Sequence, residues 1–74
     1  MAATATVIGQ NIRDAREARR WTQRVLADKV GVEPQTISNL ERGMYPPSWR
    51  TLRSLAQALE LTEEDLLSVD GAAA

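Results

Sequence analysis

A tight turn between two short helices is predicted in residues 22–43, TQRVLADKVGVEPQTISNLERG, and no other stretch constrains the fold as strongly. The first helix begins at Thr22, whose hydroxyl can accept a hydrogen bond from a free backbone N–H of the first turn. It ends near Val30, because Gly31 readily adopts the left-handed backbone that closes a helix. The chain therefore changes direction at Gly31.

The second helix of this segment begins after Val32 and runs to Arg42. Pro34 is acceptable in its first turn, since the N–H that proline lacks has no helical partner there. Apolar residues of both helices recur at helical spacing, which gives each helix an inner face for a shared core. These residues are Leu26, Ala27 and Val30 in the first helix and Ile37 and Leu40 in the second.

Many positions of this segment, and of the residues after it, carry side chains typical of one family. They are Thr22, Gln23, Leu26, Ala27, Gly31, Val32, Ile37, Ser38, Glu41, Arg42, Gly43, Pro47, Ser48, Thr51, Leu52, Leu55, Ala56, Ala58 and Leu59. With these residues in register, residues 8–67 resemble the phage repressor and Cro type of helix-turn-helix protein, the XRE family. The resemblance implies an all-α, compact five-helix lambda-repressor-like DNA-binding domain, with the helix-turn-helix at helices 2 and 3.

The composition limits the remaining possibilities. Seventy-four residues suffice for one small domain with a marginal core. The absence of cysteine excludes disulfides and thiolate metal sites, and it favours a cytoplasmic location. The start MAATATVIG lacks the features of a signal peptide, and nowhere is there a run of ~20 apolar residues that could span a membrane. We expect no membrane association and no cofactor.

The net charge of -1 argues weakly against a nucleic-acid partner, but the charges are unevenly distributed. Residues 1–53 hold all nine basic side chains and five acidic ones. Residues 54–74 hold five acidic side chains and no lysine or arginine. A basic face could therefore meet phosphate while the acidic end points away. A helical protein with mixed surface charges is the alternative explanation.

The domain is expected to span residues 7–68, between a flexible arm at residues 1–6 and a disordered tail at residues 69–74. Its first helix is predicted from Val7 to Arg19. A fourth helix follows two prolines, with Ser48 as its N-cap and an inward stripe of apolar residues. That stripe consists of Trp49, Leu52, Leu55, Ala56 and Leu59. In the last helix, Thr62 and Asp65 have capping-box spacing.

Two arginines of the first helix and its end need an explanation. Arg16 shares a helix face with apolar residues, and in the family the arginine at this position pairs with the glutamate that matches Glu41. The resemblance thus implies a structural salt bridge, with a solvent-directed Arg16 as the alternative. The family usually has glycine where Arg20 stands. Either the helix ends differently here, or a strained left-handed arginine is accepted for the sake of a cation near DNA. Trp21 is expected in the core.

Catalysis receives little support from the sequence. Without histidine or cysteine, a hydroxyl nucleophile such as Ser38 has no evident base. The run Glu63, Glu64 and Asp65 is explained by capping and by the positive end of a helix dipole, and alone it would make a poor metal site. An enzyme is therefore not expected.

Base reading requires short polar side chains near the N-terminus of the second helix of the motif. Gln35, Thr36 and Asn39 lie on one outward side, and glutamine or asparagine can pair bidentately with adenine. Glu33 stands where the family often has a small hydroxyl residue. It could accept from a cytosine amino group or simply repel the DNA. Pro34 has no N–H to offer at the next position.

Phosphate contacts are expected from Gln23, at the N-terminus of the first helix of the motif. The cations expected beside it are Arg24, Arg42 and either Arg19 or Arg20. Tyr45, in the loop after the motif, could donate to a phosphate or pack under the loop.

A monomer reads too few base pairs for useful discrimination, so such domains usually bind double-stranded DNA as homodimers. The interface would come from the last helix and nearby residues, namely Leu61, Leu66, Leu67, Val69 and Trp49, with Leu66 and Leu67 closing the core as the alternative. The resulting prediction is a dimeric, sequence-specific transcriptional regulator, in the first instance a repressor, on a palindromic operator. There are three alternatives: an antitoxin with a toxin as partner, a restriction-modification controller, or a helical protein-interaction module without DNA binding.

Overall fold

The computed structural model describes residues 4–69, which fold into five helices. These are α1 (Ala5–Ala18), α2 (Gln23–Val30), α3 (Pro34–Glu41), α4 (Trp49–Leu59) and α5 (Glu63–Leu67). Residues 4–69 contain no strand, and none of their helices is long and apolar enough to cross a membrane. The predicted all-α, five-helix architecture is confirmed.

Side-chain hydroxyls cap the N-termini of α2, α4 and α5, as the sequence predicts. The Thr22 hydroxyl accepts a hydrogen bond from the Val25 N–H at 3.1 Å, and the Ser48 hydroxyl accepts from the Thr51 N–H at 3.2 Å. At α5, the Thr62 hydroxyl accepts from the Asp65 N–H while the Asp65 carboxylate accepts from the Thr62 N–H, which completes the capping box.

The first helix begins earlier than predicted. The Thr4 hydroxyl accepts a hydrogen bond from the Val7 N–H at 3.2 Å, so α1 starts at Ala5 and not at Val7. Residues 4–6 are therefore a cap and a first turn rather than part of an arm. The rest of the predicted arm, residues 1–3, and residues 70–74 of the predicted tail lie outside the described residues.

One apolar core lies between the helices, and all five contribute to it. Its members are Ile8, Ile12, Ala15, Leu26, Ala27, Ile37, Leu40, Leu52, Leu55, Ala56, Leu59 and Leu66. Trp49, predicted to be inward, is instead 60% exposed. Helical side chains lean toward the N-terminus, so a side chain at the first position of α4 extends beyond the end of the helix. Trp21 is half-buried against the core, with the Lys29 ammonium 4.7 Å from its ring centroid.

The backbones of α1 and α3 approach each other closely at Gly9. A Cβ at this position would collide with the Leu40 carbonyl oxygen and lie 2.8 Å from the Glu41 carbonyl oxygen. Close by on α1, the buried Asn11 amide donates to the carbonyl oxygens of Leu66 at 2.8 Å and Ser68 at 2.7 Å. Thus α1 fixes the position of α3 through its backbone and that of α5 through a side chain.

The end of α1 decides between the two explanations for Arg20. Arg20 has φ 58, in the left-handed region where glycine is usual. The N–H of Arg20 donates to the Glu17 carbonyl at 2.9 Å, and the N–H of Trp21 donates to the Arg16 carbonyl at 3.2 Å. These are the two hydrogen bonds of a Schellman motif. The helix therefore ends in the manner expected for glycine, with arginine in the strained position.

Candidate nucleic-acid interface

The turn between α2 and α3 sets the angle between these two helices. Gly31 has φ 84, and the N–H groups of Gly31 and Val32 both donate to the Ala27 carbonyl, at 2.8 and 3.0 Å. After this turn α3 buries Ile37 and Leu40 against the core. The opposite side of α3 is consequently turned toward solvent.

A buried ion pair joins α1 to the C-terminal end of α3. Arg16 Nε donates to Glu41 Oε2 at 2.7 Å, and its Nη2 donates to Glu41 Oε1 at 3.0 Å. Only 12% of the Arg16 side chain and 3% of the Glu41 side chain are exposed. The structure thus contains the pair that the sequence resemblance implied, and not a solvent-directed Arg16. The hydrogen bond with Glu41 is the main reason that the pKa of Arg16 is raised above its ordinary value.

Each member of this ion pair makes one further hydrogen bond. Arg16 Nη1 donates to the Trp21 carbonyl at 2.7 Å. Gln23 Nε2 donates to Glu41 Oε1 at 3.1 Å, which sequence reasoning did not foresee. Gln23 stands at the first position of α2, where free backbone N–H groups are available, and its amide keeps a second N–H. Gln23 can therefore donate to Glu41 and to an external acceptor at the same time.

The outward side of α3 and the loop after it carry a polar network formed by Gln35, Asn39, Arg42 and Tyr45. Gln35 Nε2 donates to Asn39 Oδ1 at 2.9 Å, and Arg42 Nη2 donates to the same oxygen at 2.8 Å. Asn39 Nδ2 donates to the Tyr45 hydroxyl at 3.5 Å. The structure thus brings together two predicted base-reading residues, Gln35 and Asn39, and two predicted phosphate-binding residues, Arg42 and Tyr45.

The residues at the start of α3 do not take part in this hydrogen-bond network. Glu33 is the N-cap of α3, but its carboxylate makes no capping hydrogen bond and is exposed. Pro34 occupies the first position, as predicted, and Thr36 is half-buried two residues later. The carboxylate of Glu33 therefore lies free beside the start of α3.

The candidate phosphate-binding arginines divide into two groups. Arg20 and Arg24 are exposed, and the guanidinium group of neither makes a hydrogen bond or ion pair within residues 4–69. Arg19 differs from the expectation, because its guanidinium donates to the carbonyl oxygens of Ala15 at 2.7 Å and of Leu59. Both are carbonyls at helix C-termini, which lack helical partners and favour a cation. Arg19 thus joins the ends of α1 and α4 and is not a free cation.

The predicted dimer residues also divide by exposure. Leu66 is completely buried in the core and cannot belong to an interface, because α5 packs it against α1 and α4. Leu61 and Leu67 are partly buried against the core. Trp49 and Val69 are exposed.

This geometry agrees with what comparisons with known proteins find. A model of the helix-turn-helix domain matches residues 7–68. The chain belongs to the helix-turn-helix domain family. The fold and the family predicted from the sequence are thereby confirmed.

Relatives of this helix-turn-helix chain include regulators. A protein of Archaeoglobus fulgidus named as an uncharacterized HTH-type transcriptional regulator is 42% identical over 59 residues, which cover 80% of this chain and 84% of that protein. The P22 c2 repressor protein, solved in complex with a synthetic operator, superposes with a TM-score of 0.82 at 33% identity, covering 86% of this chain and 97% of that one. The restriction-modification controller protein C.AhdI of Aeromonas hydrophila superposes with a TM-score of 0.81 at 28% identity, covering 85% and 96%.

Proposed function

We propose that this helix-turn-helix protein is a transcriptional repressor that binds a palindromic operator as a homodimer, with α3 in the major groove. Its general character as a DNA-binding transcriptional regulator is supported by the family and by the regulators and repressor named above. The observation that carries the proposal is the polar network, which presents amide and guanidinium groups on the side of α3 that the core leaves free.

Base contacts come from the outward side of α3. Glutamine can bind adenine through one N–H and its carbonyl oxygen, and Gln35 lies near the helix N-terminus, where the major groove is reached first. Thr36 is half-buried at the next position and contributes less surface. Glu33 adds a free carboxylate, which disfavours phosphate nearby and suits a cytosine amino group.

Phosphate contacts come from α2 and from the loop at its start. Gln23 offers an amide N–H and the free backbone donors of the α2 N-terminus, while Arg20 and Arg24 supply unpaired positive charge nearby. These contacts position α3 on the duplex without reading its sequence.

Two copies are needed for discrimination between operators. A two-fold axis places equal half-sites about one helical turn, ~34 Å, apart. The exposed Trp49 and Val69 and the partly buried Leu61 and Leu67 are the apolar residues available for the contact between copies.

The experiment is the selection of bound sequences from a random duplex library. We expect an inverted repeat, which would support both the regulator and its two-fold symmetry. Affinity for the selected duplex should fall with rising salt, with a slope of log K against log salt of roughly -0.9 per phosphate neutralised. Arg24→Ala removes one phosphate contact from each of the two copies, so it should reduce the magnitude of that slope by about two units, whereas Arg53→Ala, on α4, serves as the matched control. A protein that binds no duplex even at low salt would refute the proposal and favour a protein-interaction module.

The superposition on C.AhdI favours a controller of a restriction-modification system as a second candidate. Such a protein would use the same surface on DNA. The two candidates differ in where the selected inverted repeat occurs in the genome. A repeat upstream of a restriction-modification operon would favour the controller, and a repeat upstream of unrelated genes would favour the repressor.

A further inference from the structure

The side-chain amide of Asn39 lies at the centre of the polar network. Its Oδ1 accepts one hydrogen bond from Gln35 at 2.9 Å and another from Arg42 at 2.8 Å. An amide oxygen has two lone pairs, so both acceptor positions of Asn39 are occupied within the protein. Its Nδ2 donates over a longer distance, 3.5 Å, to the Tyr45 hydroxyl and keeps one free N–H.

Bidentate recognition of adenine requires an acceptor and a donor on the same amide, for the N6 amino group and N7 of the base. Asn39 has no acceptor left for the base. Gln35 uses only one of its two N–H groups in the network, so it keeps the other N–H and its carbonyl oxygen. Of these two amides, only Gln35 therefore retains the complete set.

The spacing along the chain favours this arrangement. Gln35 precedes Asn39 by four residues and Arg42 follows it by three, so both lie on the same side of the helix as Asn39. Long side chains such as glutamine and arginine lose rotamer freedom when they bind a partner. Hydrogen bonds to Asn39 remove part of that freedom before any DNA arrives.

We propose that Asn39 is a positioning residue, which holds Gln35 and Arg42 in place for the duplex and reads no base itself. This role rests on the DNA-binding function proposed above. It replaces the sequence-based expectation in which Gln35 and Asn39 read bases side by side. Gln35 then carries the amide recognition, and Arg42 is presented in a fixed direction at the end of α3.

The positioning role can be tested first in the free protein. Scalar couplings measured by NMR should show one dominant χ1 rotamer for Gln35 in the wild type and rotamer averaging in Asn39→Ala. Asn39→Asp should restore the dominant rotamer, because a carboxylate oxygen accepts from the same two donors. Both variants should fold, since Asn39 is only half-buried and alanine is a better helix former than asparagine. A single unchanged Gln35 rotamer in Asn39→Ala would overturn the proposal.

The second test compares affinities for the selected duplex and for its single base-pair variants. We expect Gln35→Ala and Asn39→Ala to relax the same base pair, each by roughly tenfold or more in preference. Asn39→Asp should keep the preference at that pair while binding every duplex more weakly, because it adds negative charge near the phosphates. Relaxation of a different base pair by Asn39→Ala would show that Asn39 reads a base, and so would overturn the positioning role.

The two tests separate this proposal from the function on which it rests. If the wild type binds no duplex, the proposed function fails and no reading role remains for Gln35, whatever the couplings show. If the wild type selects an inverted repeat but Asn39→Asp fails to restore the preference of the selected base pair, the function stands and the positioning role is refuted.

Discussion

The two sides of α3 are built on opposite principles. The inner side ends in a carboxylate, Glu41, that is enclosed by Arg16 and Gln23 and almost completely withdrawn from solvent. The outer side carries an amide, Asn39, that also makes three hydrogen bonds but remains accessible. On the inner side the hydrogen bonds hold one helix to another, whereas on the outer side they hold side chains of α3 and the adjoining loop to each other. Substitutions should therefore change stability on one side and recognition on the other.

The largest effect is expected from Glu41→Ala. Arg16 would remain largely buried without its carboxylate, and Gln23 would lose its acceptor, so the free energy of unfolding should fall by about 3–5 kcal/mol. Urea denaturation followed by circular dichroism measures this loss. Arg13→Ala is the matched control, because its exposed guanidinium donates to the exposed Glu17 carboxylate at 3.2 Å, and this surface pair should contribute about 0.5 kcal/mol or less. Equal losses in the two variants would mean that the buried pair does not hold α3 to α1.

Gly9→Ala should have the next largest effect. The added methyl group would collide with the Leu40 carbonyl, so α1 and α3 must separate at a cost of about 1–3 kcal/mol. The midpoint of thermal unfolding should fall accordingly. Gln10→Ala, one residue later and exposed, should stay within about 0.5 kcal/mol of the wild type. If Gly9→Ala is as stable as Gln10→Ala, the two backbones do not limit each other's approach.

A gain is expected from Arg20→Gly. Glycine adopts φ 58 without the strain that a Cβ introduces, so the free energy of unfolding should rise by about 1 kcal/mol. Arg20→Ala removes the same charge but retains the Cβ, and it should show no such gain. If alanine stabilises as much as glycine, relief of charge repulsion and not of backbone strain is the cause. Because Arg20 is an unpaired cation, both variants should also weaken duplex binding to a similar degree.

The smallest effect on stability is expected from Gln35→Ala, on the outer side of α3. Its unfolding free energy should stay within about 0.5 kcal/mol of the wild type, since Gln35 is exposed. Binding measured by fluorescence anisotropy should nevertheless lose roughly tenfold or more of the preference at one base pair. Gln57→Ala, an exposed glutamine on α4, is the control and should change neither quantity. A large loss of stability in Gln35→Ala would remove the contrast between the two sides.

The sequence was most informative where a short local pattern determines the structure. Hydroxyl caps at Thr22, Ser48 and Thr62 predicted where three helices begin, because capping depends only on a few neighbouring residues. The resemblance added the pairing of Arg16 with Glu41, which are 25 residues apart and which no local pattern connects.

It was least informative where the third dimension decides. The role of Arg19 depends on the carbonyl of Leu59, 40 residues away, and nothing near Arg19 in the chain indicates that contact. Leu66 and Trp49 are both apolar residues at the margin of a helix, yet one is buried and the other exposed, because only the packing of α4 and α5 distinguishes them. The network around Asn39 could not be predicted, because residue spacing places its members on one side of α3 but does not determine which rotamers bring the side chains into contact.

The fluorescence of the two tryptophans can report unfolding and association of this protein separately. Trp21 is half-buried in the link between α1 and α2, close to the Lys29 ammonium, so its fluorescence should change when the domain unfolds. Trp49 is 60% exposed in the folded monomer and should emit at long wavelength, as a tryptophan in water does, until another surface covers it. A blue shift that depends on protein concentration and persists in Trp21→Phe would therefore report association of two copies, without any added label.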